Sequence, residues 1–379
     1  MKRIIVVLVL LTVFSSLGYY LYIRLSEVFV GTFLETKATL FVFIFLLLSF
    51  IIGKIIENYD INIVSNTLIR IGAVSLGFFL YALILIVFID IIRLINYIIP
   101  FYPKFITQNI QQTKYIVGIV SSAIIFVVFL AGYFNARTPI VKTINIDMNK
   151  NNDLGQLNIV AVSDIHLGMM VNHQKTRRLI RKINELNPDL VIIGGDIIDD
   201  NINVVKHFKL LEYFKELKPK YGVYACPGNH EYISNAYKEF DFFDKNGIKM
   251  LRDEAVLIDN KFYIIGQDDI QGKMFNNQER KPLSELMENI DTSLPIILIN
   301  HQPYKLEETA KYPIDLQFSG HTHGGQLFPF NLITQRIFEK DYGYLKKENT
   351  HFYISSGYGT SMMPIRIASK SEIVNFVVE

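Results

Sequence analysis

At 379 residues the chain has room for more than one domain, and half of it is hydrophobic, with a mean hydropathy of +0.25 that is high for a soluble protein. The charge is uneven: residues 1–137 hold ten Lys/Arg and five Asp/Glu, which leaves 28 and 31 to the rest. A mildly acidic second part is a poor match for nucleic-acid phosphates, so no nucleic-acid partner is expected. The single cysteine, Cys226, excludes an intrachain disulfide and reads as a small buried residue of the run GVYACPG. Any metal site must then be built from His, Asp, Asn and Glu, a donor set suited to Mn, Fe, Zn or Mg.

Four apolar stretches open the chain, at residues 4–23, 38–52 (extendable to 56 past Lys54), 71–92 and 115–133. About 20 apolar residues cross a bilayer core, and none of the four carries the polar stripe of an amphipathic globular helix. The expectation is an all-α transmembrane region of about four helices over residues 1–137, a connector over 138–156 and a second domain over 157–379. Lys2 and Arg3 resemble the start of a signal peptide, but no small-residue cleavage site follows, which favours a retained anchor. Seven basic residues (Lys2, Arg3, Lys54, Arg70, Arg137, Lys142, Lys150) fall in one set of loops and five (Arg24, Lys37, Arg93, Lys104, Lys114) in the other. That bias leans toward both termini, and with them the second domain, in the cytoplasm. Asp90, one turn before Arg93, reads as an interfacial ion pair rather than a proton relay.

From Leu157 the pattern changes to short apolar runs alternating with helical periodicity. LNIVAVSD reads as a buried strand and QKTRRLIRKINEL as an amphipathic helix with Leu179, Ile180, Ile183 and Leu186 on its apolar face. DLVIIGGD is a second strand, VVKHFKLLEYFKEL a second helix and GVYACPG a third strand. Strands spaced by helices of this length predict a largely parallel sheet. The later runs VLID, KFYIIG, PIILIN, DLQFSG, HFYISS and EIVNFVVE lie closer together and predict a second sheet.

Polar residues recur at the ends of these strands: Ser163-Asp164-Ile165-His166, Gly194-Gly195-Asp196, Gly228-Asn229-His230-Glu231, Asn300-His301 and His321-Thr322-His323. In open α/β sheets the carboxyl ends of strands share an edge where ligands bind. Asp164, His166, Asp196, Asn229, His301, His321 and His323 are therefore expected in one place. In GHTHGGQ, spacing i, i+2 on extended backbone would point both histidines to the same side, and the flanking Gly320, Gly324 and Gly325 permit close approach. Seven O/N donors are too many for one tetrahedral ion. Two divalent ions with a bridging carboxylate use them, and such a pair suits attack of hydroxide on phosphorus.

The set Asp164-x-His166, Gly195-Asp196, Gly228-Asn229-His230-Glu231, Asn300-His301 and Gly320-His321-x-His323 resembles the ordered motifs of the calcineurin-like metallophosphoesterases. All five blocks are present in order across residues 157–379. GHTHGGQ and the tail SSGYGTSMMPIRI are similar to a bacterial, often membrane-anchored or exported branch. The resemblance implies a four-layer α/β/β/α sandwich of two mixed sheets and a metal-dependent phosphohydrolase in the bacterial cell membrane. It implies Asp164, His166 and His323 on a first metal, Asn229, His301 and His321 on a second, and Asp196 bridging them. His230 would be the catalytic histidine that protonates the leaving oxygen. Its substrate would be a phosphomonoester or phosphodiester, with a lipid or nucleotide-linked phosphate among the candidates.

Other residues are read more cautiously. Arg366 in MPIRI is the candidate substrate-phosphate cation, against a surface strand residue. Glu231 either orients its loop or is a plain surface carboxylate. His173 reads as solvated, His207 and His351 as structural or exposed, and Asp268 and Asp269 as a turn in preference to a wall of the site. Met169, Met170 and Val171, with LFPF after the last motif, read first as packing and second as contacts to a lipid-linked phosphate. The competing functions are a catalytically silent scaffold, which the completeness of the motifs opposes, and a sensory membrane bundle, which lacks buried charges apart from Asp90. A nuclease is disfavoured by charge. No protein partner is inferable.

Overall fold

The computed structural model of the chain describes residues 2–148, 150 and 155–378. It divides into two compact units, one of residues 1–132 with 362–364 and one of residues 133–361 with 365–379.

The first unit holds α1 (Lys2–Val28), α2 (Lys37–Tyr59), α3 (Ile63–Ile98), a short α4 (Lys104–Gln108) and most of α5 (Ile110–Asn135). Among the described residues three helices, α2, α3 and α5, are long and apolar enough to cross a membrane. The first apolar stretch lies on α1, where the side chains of residues 1–8, 10 and 11 fall outside the described ones, so the expected count of about four is three here. The 36 residues of α3 extend about 54 Å at 1.5 Å per residue, well beyond a bilayer core of about 30 Å. Its start is fixed by a capping box: the Asn62 side chain accepts the N–H groups of Val64 and Ser65, and Ser65 Oγ accepts the N–H of Asn62. Helices α2 and α3 approach closely at Gly72, where an added Cβ would lie 2.3 Å from the backbone nitrogen of Phe50. Asp90 accepts from Arg93 Nη1 at 3.0 Å, but also from Arg24 Nη2 at 2.6 Å and the Tyr20 hydroxyl at 2.6 Å, so the expected pair is part of a larger cluster.

The second unit contains twelve strands: β1 (Ile140–Ile146), β2 (Leu157–Val162), β3 (Leu190–Ile193), β4 (Val223–Ala225), β5 (Lys249–Met250), β6 (Glu254–Ile258), β7 (Phe262–Gly266), β8 (Ile296–Ile299), β9 (Leu316–Ser319), β10 (Gly343–Lys347), β11 (Thr350–Ile354) and β12 (Glu372–Val378). They form two six-stranded sheets, ordered β1-β12-β2-β3-β4-β5 and β10-β11-β9-β8-β7-β6. Both are mixed: β12 runs antiparallel to β2 in the first, and β10 and β6 antiparallel to their neighbours in the second. Alternation along the strands makes the layers. Ile159 and Ala161 of β2 and Ile192 of β3 face Ile264, Ile297, Ile299 and Phe318 of the other sheet in a shared core. Val160, Val162, Val191 and Ile193 point the other way onto Leu179, Ile180 and Ile183 of α6 (His173–Glu185). On the far side Ile265, Ile296 and Leu298 pack with Leu286 and Ile314. The result is the expected α/β/β/α sandwich.

Three local features differ from the sequence reading. VVKHFKLLEYFKEL is not one helix: α7 (Ile202–His207) ends before Lys209, whose φ of 50° breaks the run ahead of a 3₁₀ turn at Leu210–Glu216. EIVNFVVE, grouped with the second sheet, is β12 of the first, antiparallel to β2 and parallel to β1. The stretch read as connector contains β1.

Candidate metal centre

The polar motifs lie where β2, β3, β4, β8 and β9 end, so both sheets deliver them to one edge. The loops after β2 and β3 remain joined, with Asp164 N–H donating to Gly195 O (3.1 Å) and His166 N–H to Asp196 O (3.0 Å). Their backbones are irregular: Asp164, His166, Asp196, His321 and His323 all have φ between 50° and 71°. Left-handed backbone at a non-glycine costs of order 1 kcal/mol or more per residue. Here it turns side chains inward that a continuing strand would send to alternate faces. His321 and His323 therefore do not share one side of an extended segment; Thr322 between them is helical and His323 opens a 3₁₀ turn.

Two donor sets without a shared residue result, and a third group, His166, Asp199 and His230, shares His166 with the first. In one, Asp164, His166 and His323 offer atoms within 4.8 Å of one another. The Nε2 atoms of His166 and His323 face each other at 3.1 Å, and Asp164 Oδ1 lies 3.4 Å from His323 Nε2. In the other, Asp196, His301 and His321 converge within the same limit. Asn229 Oδ1 joins them, 3.1 Å from His301 Nε2 and 2.9 Å from His321 Nδ1. Asp196 Oδ2 stands between the sets, 3.2 Å from His301 Nε2 and 3.9 Å from His166 Nε2. Glycines make room for this. A Cβ on Gly320 would fall 1.8 Å from Ser163 Oγ and 2.2 Å from Asp164 Oδ2, and one on Gly228 would fall 2.2 Å from Asp196 Oδ1.

The electrostatics suit cations. Burial and the charge of His301 push His321 down to about 4, and burial with His166 and Arg366 holds His323 well below the usual histidine value, so both imidazoles keep free lone pairs. Burial opposes ionisation of Asp196, yet His301, His230 and His166 together hold its carboxyl well below the ordinary range. His301 Nδ1 lies 2.7 Å from Gly194 O, which fixes that nitrogen as donor and leaves Nε2 for an ion. Despite burial, the surrounding carboxylates raise His301 and His166, holding protons that divalent ions would replace, so this donor set of carboxylates, an amide oxygen and imidazoles, all buried or half-buried, fits two divalent ions.

His230 stands beside these sets, its ring edge-on to His166 at 4.6 Å between centroids. Its Nδ1 donates to the carbonyl of Asp199, and its backbone N–H donates to Asp196 Oδ1 at 2.8 Å. Asp199, absent from the sequence reading, also places Oδ1 3.4 Å from His166 Nδ1. The only signal for it was a carboxylate three residues after Asp196 in GDIIDD. Glu231 is fully buried, and its carboxylate accepts four backbone N–H groups: Gly228 (2.7 Å), Asp196 (2.9 Å), Ile197 (2.9 Å) and Ile198 (3.1 Å). It ties the loop after β4 to the loop after β3, and burial beside Asp196 pushes its pKa up to about 7.

Arg366 is fully buried, with Nη2 3.1 Å from His323 Nδ1 and 2.6 Å from Gly359 O, and Nη1 2.9 Å from Ser369 Oγ. It lies behind His323, on the face away from His166. Asp268 accepts the Tyr232 hydroxyl and Arg252 Nε, and Asp269 accepts Gln302 Nε2 at both oxygens, so the two carboxylates are buried structural groups. His173 contacts the Tyr213 hydroxyl, His207 is exposed, and His351 is buried against Tyr344 and the carbonyl of Asp147. Met169 and Val171 are packed inside, whereas Phe328 and Phe330 of LFPF are exposed.

The sequence is similar to those of known proteins. A family model described as calcineurin-like phosphoesterase matches residues 157–325. A metallophosphoesterase of Aquifex aeolicus is 34% identical over 251 residues, covering 65% of this chain and 95% of that one. One of Helicobacter pylori is 31% identical, covering 65% and 68%. A zebrafish (Danio rerio) transmembrane protein with metallophosphoesterase domain is 32% identical, covering 64% of this chain and 58% of its own length. The chain belongs to the calcineurin-like phosphoesterase family, and its second unit is a phosphoesterase hydrolase domain.

Proposed function

We propose that the chain is a multi-pass membrane protein of the bacterial cell membrane that hydrolyses a phosphomonoester or phosphodiester at a two-ion centre. The observation that carries this reading is the pair of converging donor sets with Asp196 between them. Asp164, His166 and His323 would hold one divalent ion, Asn229, His301 and His321 the other, with Asp196 shared. Such ions, when bound, would neutralise phosphate charge and supply an activated water. The chain's own residues do the rest. His230, its Nδ1 committed to the Asp199 carbonyl, would use Nε2 to protonate the leaving oxygen. Asp199 orients His166 and His230 together. Glu231 fixes the two loops that carry Asp196 and Asn229. Arg366 positions His323 from behind rather than meeting the substrate.

The rim favours a lipid-linked ester. Phe328, Phe330, Leu332, Ile333 and Ile337 are exposed directly after the last histidine motif, and an acyl chain would cover them. The seven-to-five loop-charge bias favours the cytoplasm for the catalytic unit.

The test is turnover of bis(p-nitrophenyl) phosphate and p-nitrophenyl phosphate by the full chain in detergent, stripped of metal and resupplied with Mn, beside Asp196→Asn. Metal-restored turnover absent from the variant supports the reading, and the ratio of the two rates sorts diester from monoester chemistry. Two bound ions without turnover of these or of micellar lipid phosphates would favour a silent scaffold.

A further inference from the structure

Lys175 is a charge without a partner. It lies in the first turn of α6, only 8% exposed, and its Nζ has no hydrogen-bond partner. Burying an ammonium costs several kcal/mol unless something pairs with it. Among the described residues, the charges that bear on it are the guanidiniums of Arg137, Arg366 and Arg178.

Hydrogen bonds tie together the segments that carry these four cations. Arg178 Nη1 donates to the carbonyl of Arg137 at 2.6 Å, and Asn135 Nδ2 donates to the carbonyl of Arg366 at 3.3 Å. The Tyr358 hydroxyl donates to the carbonyl of Lys175 at 2.8 Å, and the Ser371 hydroxyl to the carbonyl of Tyr358 at 2.5 Å. Each contact joins backbone to a neighbouring element and leaves the ammonium of Lys175 uncommitted. Arg366 has spent its donors on Gly359, His323 and Ser369, so it adds field rather than a ligand. Arg178 is exposed, and Arg137 is half-buried with its guanidinium stacked 3.5 Å over the Tyr133 ring, so the cationic group extends from Lys175 to the surface at Arg178.

We propose that Lys175, Arg137 and Arg178 form an anion site, separate from the metal centre, that takes a phosphate group. One ammonium and two guanidiniums match the charge and tetrahedral acceptors of phosphate. Burial and the three guanidiniums hold the lysine down to about 7 in the absence of an anion, and a bound phosphate would restore its charge. Two sources carry this chemistry: free phosphate and the headgroup of an anionic lipid. Arg137 follows the apolar α5 by two residues, the depth at which basic side chains meet lipid phosphates.

The single, buried Cys226 provides the readout, since a thiol-reactive dye reports its exposure as the second unit unfolds. The full chain in detergent is stripped of divalent ions, so that the metal centre does not hold the anion. Melting is compared in chloride and in inorganic phosphate at matched ionic strength, and in micelles doped with phosphatidylcholine or phosphatidylglycerol. The wild-type midpoint should rise by roughly 5 °C near a hundredfold excess over the dissociation constant. Lys175→Met should lose that rise, and the exposed Arg178→Gln, which keeps the fold, should reduce it. A rise with phosphatidylglycerol alone identifies a lipid headgroup, and a rise with inorganic phosphate alone identifies the free ion. A wild-type midpoint that neither phosphate source moves, or an equal rise in Lys175→Met, overturns the site.

Discussion

Both units of the molecule depend on glycine for close approach, and for opposite ends. In the helical unit Gly72 lets two regular helices touch, and what meets there is backbone against backbone, with nothing polar to satisfy. In the catalytic unit Gly320 and Gly228 clear space for the carboxylates of Asp164 and Asp196, on backbones bent into the left-handed region. The first arrangement is regular and carries no charge. The second is strained, crowded with charge and stable only because neighbouring loops over-determine it. The difference teaches where the chain spends stability: in the sheet edge, where chemistry happens, and hardly at all in the bundle.

The contrast can be broken from either side. Asp196→Asn removes the shared carboxylate and should abolish metal-restored turnover, a loss larger than any other single change, read as kcat with Mn. Replacing His230 by Ala leaves the donor sets whole and should lower kcat by about 10²–10⁴-fold, with metal content unchanged by elemental analysis. A milder cut is Asp199→Asn, for which a drop of about 10–100-fold with a shifted acidic limb of the pH–rate profile is expected; an unchanged profile would remove it from the site. In the bundle, Gly72→Ala should cost about 1–3 kcal/mol of stability by overpacking. It should leave kcat unchanged, and a fall in kcat would mean the two units are not energetically separate.

The smallest effect is also the most specific. In anion-free buffer Lys175→Met should raise the midpoint of the second unit, and the gain should depend on pH. The unfolded chain keeps this lysine protonated up to its ordinary 10.5, while the folded chain releases the proton near 7. The cost of burying the charge is therefore full below about pH 7 and fades as pH approaches 10.5. The variant's advantage should be largest in acid and vanish in alkali. A gain independent of pH would trace instead to packing of the methionine.

What could be read from the sequence follows the same division. Runs such as LNIVAVSD and PIILIN announce buried strands because continuous apolar residues leave few alternatives, and their polar ends mark the functional edge. The geometry at that edge was not legible. Alternation predicts that His321 and His323 share a side, whereas positive φ at both sends them to different donor sets. IVKTINI was hidden because it alternates half-buried and exposed positions at a sheet edge, among residues of mixed polarity. Lys209 broke a helix that periodicity made continuous, since the apolar spacing survives the turn. Asp199 and Glu231 acquire their roles only through contacts that folding creates across three sequence blocks. Lys175 was invisible for the same reason: on a helical wheel it is one more basic residue of a surface helix.

The pairing of Ile140 with Glu372 has a consequence for the order of events in the cell. The strand that begins the catalytic unit finds its neighbour only after every other strand has been translated, and that neighbour must insert between it and β2. A chain halted before β12 would carry all seven metal-binding candidates but lack the strand that joins β1 to β2.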